Sequence, residues 1–259
     1  MSSKSKPLFS SSLGKKLIMS LTGLFLCMFL LIHLIGNLQL FNNDAGYAFN
    51  KYAVFMTTFP PIKVVSYLLY ASVIIHAIYA LVLTLKNKSA RPVGYNQSAG
   101  SANSKWNSRN MGILGTVLLV FIATHMSNFW WKYHNDQVPY IEYKTDLKTG
   151  QQLEVRELTA NEFTVYSVQV ENGIETVQAR DLYKQVDFAF QSLPLVALYV
   201  IAMAALAFHL IHGFQSAFQT VGFNHKRYIG CIRTIGVWLF GVIIPVLFAL
   251  MPLYFFFKG

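Results

Sequence analysis

Residues 20–37 read SLTGLFLCMFLLIHLIGN, an apolar run broken by a single imidazole, His33. A titratable ring inside a stretch of membrane-spanning length calls for a function or a partner. The run has a near copy in residues 112–125, GILGTVLLVFIATH. In each copy a glycine, Gly23 or Gly115, stands ten residues before the histidine, His33 or His125. Ten residues is close to three helical turns, about 15 Å of rise. Glycine and histidine therefore share a helix face at different depths. Two further apolar runs carry His76 and His209.

The rest of the chain agrees with a membrane setting. Only 12% of its 259 residues are charged, against about 25% in soluble domains. Five stretches are long enough to cross about 30 Å of hydrocarbon, which takes about 20 residues. They lie near 17–41, 63–85, 110–131, 191–219 and 232–257. They predict an all-α transmembrane fold, a five-helix bundle, with 1–259 as one membrane domain. Pro60, Pro61 and Pro194 fall at helix starts, where proline is tolerated, and Pro245 is expected to kink the fifth span. Trp130 and Trp131 close the third span as interfacial anchors do.

The net charge of +10 does not point to nucleic acid, because of where the charges lie. One acidic residue is Asp44, and the other ten lie between Asp136 and Asp187. Three basic clusters contain no acid: Lys4, Lys6, Lys15 and Lys16; Lys86, Lys88, Arg91, Lys105 and Arg109; Lys226, Arg227 and Arg233. By the positive-inside rule the N-terminus is cytoplasmic, and five spans carry the C-terminus outside. The first apolar run is too long for a signal peptide and lacks a small-residue cleavage site, so it is expected to stay as a helix. Cys27 and Cys231 fit no CxxCH or disulfide pattern and read as small hydrophobes.

Residues 132–190 differ from the spans. EFTVYSVQV (162–170) alternates polar and apolar, meets Asn172-Gly173, and resumes as IETVQA. Asn-Gly between alternating runs is a strong hairpin signal. A second hairpin is expected from YIEYK (140–144) through Lys148-Thr149-Gly150 to QLEVRE (152–157). The insert is read as a small β-hairpin cap on the outer face.

The four histidines fall at two depths. At 1.5 Å per residue, His33 and His125 lie about 24 and 22 Å from the cytoplasmic ends of their spans, near the outer side. His76 and His209 enter from outside and lie about 20 Å toward the cytoplasm. In an up-down bundle the first and third helices are diagonal, as are the second and fourth. The pairs His33/His125 and His76/His209 thus face each other across a four-helix core, with the fifth helix beside it. Two matched pairs suit axial ligation of two b haems, with iron held through all four histidines. Simple interhelical hydrogen bonding is the plainer alternative. Zinc fits less well, since no carboxylate or thiolate completes a shell. Gly23 and Gly115 would let a flat macrocycle approach the backbone, although close helix packing uses the same glycines. His212 lies on a neighbouring face of the same helix, and spacing leaves His209 and His212 equally open. His134 and His225 read as solvated loop residues.

FLLIHLIGN (29–37), VIIHAIYALVL (73–83), FIATHM (121–126) and FHLIHGFQSAF (208–218), in this order, resemble the single-chain, five-helix, dihaem cytochrome b subunit of succinate:quinone oxidoreductases. That group includes the related quinol:fumarate reductases. The resemblance covers the first four spans, is strengthened by SLTGLFL, and meets the fifth only in apolar length. It implies that the fourth ligand is the histidine four residues before a glycine, here His209 before Gly213. It also implies the pairing of first with third and second with fourth ligands.

The resemblance further implies a membrane anchor in a bacterial inner membrane. Flavoprotein and iron–sulfur subunits on the cytoplasmic face would oxidise succinate, and electrons would pass through two haems to membrane quinone, menaquinone rather than ubiquinone. Residues at the outer haem's depth that could line a quinone site are Asn37, Tyr47, Asn128 and Trp130. This sequence departs from the pattern at Ala207. Some fumarate-reducing members have glutamate there, and no span here contains a carboxylate. The remaining alternatives are a cytochrome b of hydrogenase or formate dehydrogenase type and a haem-free transporter. The first shows no matching spacing. The second would call for inverted repeats and broken helices, whereas the repeat here is parallel.

Overall fold

The computed structural model describes residues 11–90, 106–163 and 166–259. Lys4, Lys6, Arg91 and Lys105 of the basic clusters, and Thr164 and Val165 of the alternating run, lie outside the described residues. Five helical segments are long and apolar enough to cross a membrane: Ser12–Phe41, Pro60–Ser89, Met111–His134, Leu193–Thr220 and Lys226–Lys258. Each includes most or all of a stretch read from the sequence.

Helix α1 (Ser12–Leu38) starts where Ser11 Oγ accepts from the Gly14 amide at 2.9 Å, a side-chain cap that carries the helix back over Lys15 and Lys16. It ends in a 3-10 turn, Gln39–Phe41. A helix absent from the sequence reading follows, α2 (Tyr47–Thr58). Helix α3 (Pro60–Ser89) opens on Pro60 and Pro61, where a missing amide proton costs nothing. No residue of α3 is buried, and Val64, Tyr67, Ile74 and Leu81 are largely exposed. So much apolar surface suits lipid rather than water.

The short helix α4 (Trp106–Arg109) leads into α5 (Met111–His125), which continues through a π turn, Met126–Trp131, to α6 (Lys132–His134). After the cap come α7 (Leu182–Phe190) and α8 (Leu193–Thr220). The fifth span joins α9 (Lys226–Ile235), a π segment (Gly236–Ile243) and α10 (Ile244–Lys258). The π segment lies just ahead of Pro245, the second residue of α10, which supplies no backbone donor.

The insert is a four-stranded antiparallel sheet: β1 (Tyr140–Asp146), β2 (Gln152–Leu158), β3 (Ser167–Glu171) and β4 (Ile174–Arg180), in the order β2-β1-β4-β3. Both hairpins read from the sequence occur, β1–β2 and β3–β4. Asn172 (φ 51°) and Gly173 (φ 81°) take the left-handed pair of angles that a two-residue hairpin turn needs. The insert is not all β, however. Residues 182–190 are helical, because Asp181 caps the Lys184 amide at 3.0 Å and the buried Gln185, Val186, Ala189 and Phe190 follow helical spacing.

The described residues divide into two compact units. One comprises the described residues within 11–31, 67–121 and 200–249; the other comprises those within 32–66, 122–199 and 250–259. In the second unit, Val54 of α2 packs into a core with Ile141, Tyr143, Val177 and Ala179 of the sheet. Asn50, fully buried, donates to Tyr143 Oη at 2.8 Å and Asp181 Oδ1 at 2.9 Å, and accepts from the Tyr183 amide at 3.1 Å. Two loops far apart in sequence are thereby locked into one cap.

Candidate functional site

Each unit contains one histidine pair. In the first unit α3 brings His76 to His209 of α8, with ring centroids 6.4 Å apart and planes at 61°. In the second, His33 of α1 meets His125 of α5, at 5.8 Å and 85°. The ring that meets His76 is thus that of His209, one of the two possibilities left open by spacing. All four rings are half-buried.

The separations can be tested against a metal. With nitrogen–metal bonds of about 2 Å and a ring nitrogen about 1.1 Å from its ring centre, two imidazoles trans on one metal have centroids about 6 Å apart. Both pairs fit. Edge-to-face packing of aromatic rings covers about 4.5–7 Å as well, so distance alone does not discriminate. The hydrogen bonding adds more.

Thr22 Oγ1 lies 3.1 Å from His76 Nδ1 and 2.8 Å from the Ile18 carbonyl. A hydroxyl has one proton. Assigned to the nearer carbonyl, it leaves Thr22 as an acceptor and makes Nδ1–H the donor, so His76 Nε2 carries the lone pair. Tyr199 Oη stands 3.1 Å from His125 Nδ1 and allows the same tautomer there. His209 Nδ1 is buried with no hydrogen-bond partner, which costs about 1–3 kcal/mol unless something else satisfies it. Ring orientation by a second group on Nδ1 is the usual pattern for ligating histidines. The His76 and His125 rings follow this pattern, and the His209 ring does not. Among the described residues, no three His, Cys, Asp or Glu side chains gather into a denser metal site.

Gly23 and Gly115 both face imidazoles. A Cβ at Gly23 would stand 3.3 Å from Cε1 of His76, and one at Gly115 would stand 4.0 Å from Cε1 of His209. Each glycine therefore serves the pair to which the histidine ten residues on does not belong.

The four quinone-site candidates separate. Asn37 turns back on its own helix, donating to the His33 carbonyl at 2.7 Å, with its amide nitrogen 3.4 Å from His33 Nδ1. Tyr47 is drawn into the cap, where it donates to Glu175 and accepts from Lys51 at 3.2 Å. Lys51 also grips Glu175 at 2.7 Å. Burial alone would raise the Glu175 carboxyl, but the bonds from Lys51 and Tyr47 outweigh it and hold the group below the ordinary glutamate value. Trp130 lines a cavity of about 340 Å³ with Ala123, Met126, Ser127 and Trp131. Asn128 also turns back on its own helix, donating to the Thr124 carbonyl at 2.9 Å, and lines an open depression of about 490 Å³ with Lys132, Phe188, Gln191 and Ser192 among its walls. Neither cavity is lined by Asn37 or Tyr47.

His134 and His225 are both exposed, as read from the sequence; His225 lies outside the helices, whereas His134 does not lie in a loop. His134 ends α6, stacks on Trp130 at 4.5 Å and donates from Nδ1 to the Trp130 carbonyl at 2.8 Å. His225 caps α9 by accepting from the Arg227 amide. Thr22 and Tyr199 were not singled out from sequence, although both were signalled: Thr22 adjoins Gly23, and Tyr199 stands ten residues before His209, the same offset as the two glycines.

No protein-family model matches this chain, and neither the curated proteins nor the solved structures include a match.

Proposed function

We propose that this chain is the membrane anchor and electron-transfer subunit of a succinate:quinone oxidoreductase. In this reading the first four spans form a haem-holding bundle, the fifth packs beside it, the N-terminus is cytoplasmic and the sheet caps the outer face of a bacterial inner membrane. Flavoprotein and iron–sulfur partners oxidise succinate on the cytoplasmic side, and membrane quinone, menaquinone by preference, meets this subunit. The observation that carries the reading is the pair of half-buried imidazole contacts at 5.8 and 6.4 Å, one in each unit.

His33 with His125, and His76 with His209, would each hold one b haem through its iron. Bound there, a haem supplies a one-electron carrier. The chain's own residues do the rest. Thr22 and Tyr199 orient one ring in each pair, Gly23 and Gly115 keep the backbone from crowding the imidazoles, and the apolar spans exclude water. Of the quinone candidates, Asn128 is best supported. Its cavity combines apolar walls, Phe188 and Leu195, with the polar side chains of Lys132, Gln191 and Ser192, the mixture a quinone headgroup and ring require.

A pyridine haemochrome assay on the purified complex tests the proposal. Two b haems per copy of this chain, with flavoprotein and iron–sulfur subunits copurifying, are expected; no haem would falsify it.

A further inference from the structure

We infer that β3, one free edge of the cap sheet, is a self-recognition surface that pairs with β3 of a second copy of this chain about a dyad at Gln169. The sheet runs β2-β1-β4-β3, so β2 and β3 are its two edges. An edge strand is a template for another chain unless something guards it. β2 is guarded. Its register slips between Glu154 and Gln152, which leaves Leu153 as an extra residue and bends the strand. Its Glu154, Arg156 and Glu157 are engaged in ion pairs with Lys144, Glu162 and Lys184. β3 has neither device. It pairs with β4 without a break, and Val168 and Val170 are 44% and 57% exposed.

The turn fixes which backbone groups point outward. Asn172-Gly173 is a two-residue turn, so Glu171 and Ile174 form its closing hydrogen-bonded pair. Ladder bonds alternate from there. Glu171, Gln169 and Ser167 turn their amides and carbonyls to β4, while Val170 and Val168 turn theirs to the open edge. A second β3 laid antiparallel, with Gln169 opposite itself, sets Val168 against the partner's Val170 and Val170 against the partner's Val168. Each of these pairs exchanges two backbone hydrogen bonds. The side chains match as well. Val170 stands opposite Glu175, which binds Lys51 of α2, so both valines lie on the α2 side of the sheet, beside the buried Val177. The valines of the two copies meet on that side. On the other side Glu171 comes opposite the partner's Ser167, so no like charges face each other. The dyad is perpendicular to the sheet. It leaves both copies of α2 on one side, as two chains inserted alike in one membrane require.

The test is cysteine crosslinking of the full chain in membranes, in a Cys231→Ser background that removes the exposed native thiol. Residues that face each other between the bonded pairs have Cα atoms about 4.5 Å apart, within reach of a disulfide. Gln169→Cys should therefore give a linked dimer on non-reducing electrophoresis. Glu171→Cys is exposed to the same collisions, but its two copies would stand four residues apart along the ladder, roughly 14 Å, and it should give little or no dimer. Coexpressed Ser167→Cys and Glu171→Cys chains should link to each other, because the dyad sets these positions face to face. Equal linking of Gln169→Cys and Glu171→Cys overturns the inference, as does no link from Gln169→Cys or none from the mixed pair. The readout needs no haem, so the inference and the haem reading stand or fall separately.

Discussion

Gly23 of α1 lies against the edge of the His76 ring, so close that a single added methyl group would stand 3.3 Å from Cε1. At Gly115 the same construction meets His209 at 4.0 Å, an ordinary contact. The two glycines look alike in sequence, yet only at Gly23 would an added Cβ be tight.

They should therefore respond differently to substitution. In the proposed haem reading, Gly115→Ala should leave two haems in place. Gly23→Leu should displace the His76 ring, at an overpacking cost of about 1–3 kcal/mol, and release the haem of that pair. Haemochrome stoichiometry compares them directly. Equal haem content in the two variants would contradict the asymmetry.

In the proposed haem reading, the ring that meets His76 makes His209 the α8 ligand. His209→Ala should reduce the complex to one bis-histidine haem, whereas His212→Ala should retain two. Low-spin haem signals counted by electron paramagnetic resonance distinguish the variants, and a reversed outcome would assign the ligand to His212.

The cap should loosen in acid. Glu175 is held below the ordinary value of 4.5 by its bonds to Lys51 and Tyr47, which outweigh its burial. A carboxylate lowered in this way stabilises the folded state fully above 4.5, and that contribution is lost as the pH falls through its lower native value. Glu175→Gln should remove the pH dependence and cost about 1 kcal/mol, because the Lys51 side chain is 38% exposed and solvent screens the pair. Hydrogen exchange of the α2 amides between pH 7 and pH 3 reports both effects. Exchange in the native protein that stays flat across that window would argue against the ion pair as the tether.

Asn50→Ala should be more damaging. It removes three buried hydrogen bonds and leaves the Asp181 carboxylate, already pushed up by burial, with one partner fewer. A loss of about 2–4 kcal/mol is expected, read as a lower unfolding temperature in detergent. A shift no larger than that of an exposed control such as Gln169→Ala would show that the network is not the cap's anchor.

Much of this architecture is legible in the sequence, because lipid demands long apolar helices and hairpins demand turns such as Asn172-Gly173. The histidine pairs are legible because helical rise converts spacing into depth. Other parts are not. Helix α2 buries an asparagine, Asn50, beside Phe49 and Val54, so its polar and apolar positions do not sort into faces. Residues 182–190 follow a strand directly, and their helical spacing is masked by apolar residues on both faces. Depth says nothing of azimuth, which is why Tyr47 and Asn37, chosen by depth, point to the cap and to their own helix. For Tyr199 the ten-residue offset before His209 marks the residue but not its partner: only the fold brings residue 199 to residue 125.

The Asn50 lock also orders events during biosynthesis. Asn50 and Asp181 are 131 residues apart in the chain. At about 5–20 residues per second, the ribosome delivers Asp181 on the order of ten seconds after Asn50. Throughout that interval α2 is tethered beside the nascent second span with no partner for its central amide. The cap closes only when the loop between the third and fourth spans has emerged beside α2. Its closure therefore follows the synthesis of three of the five long apolar helices, and a chain stalled before Asp181 is left with α2 unlocked.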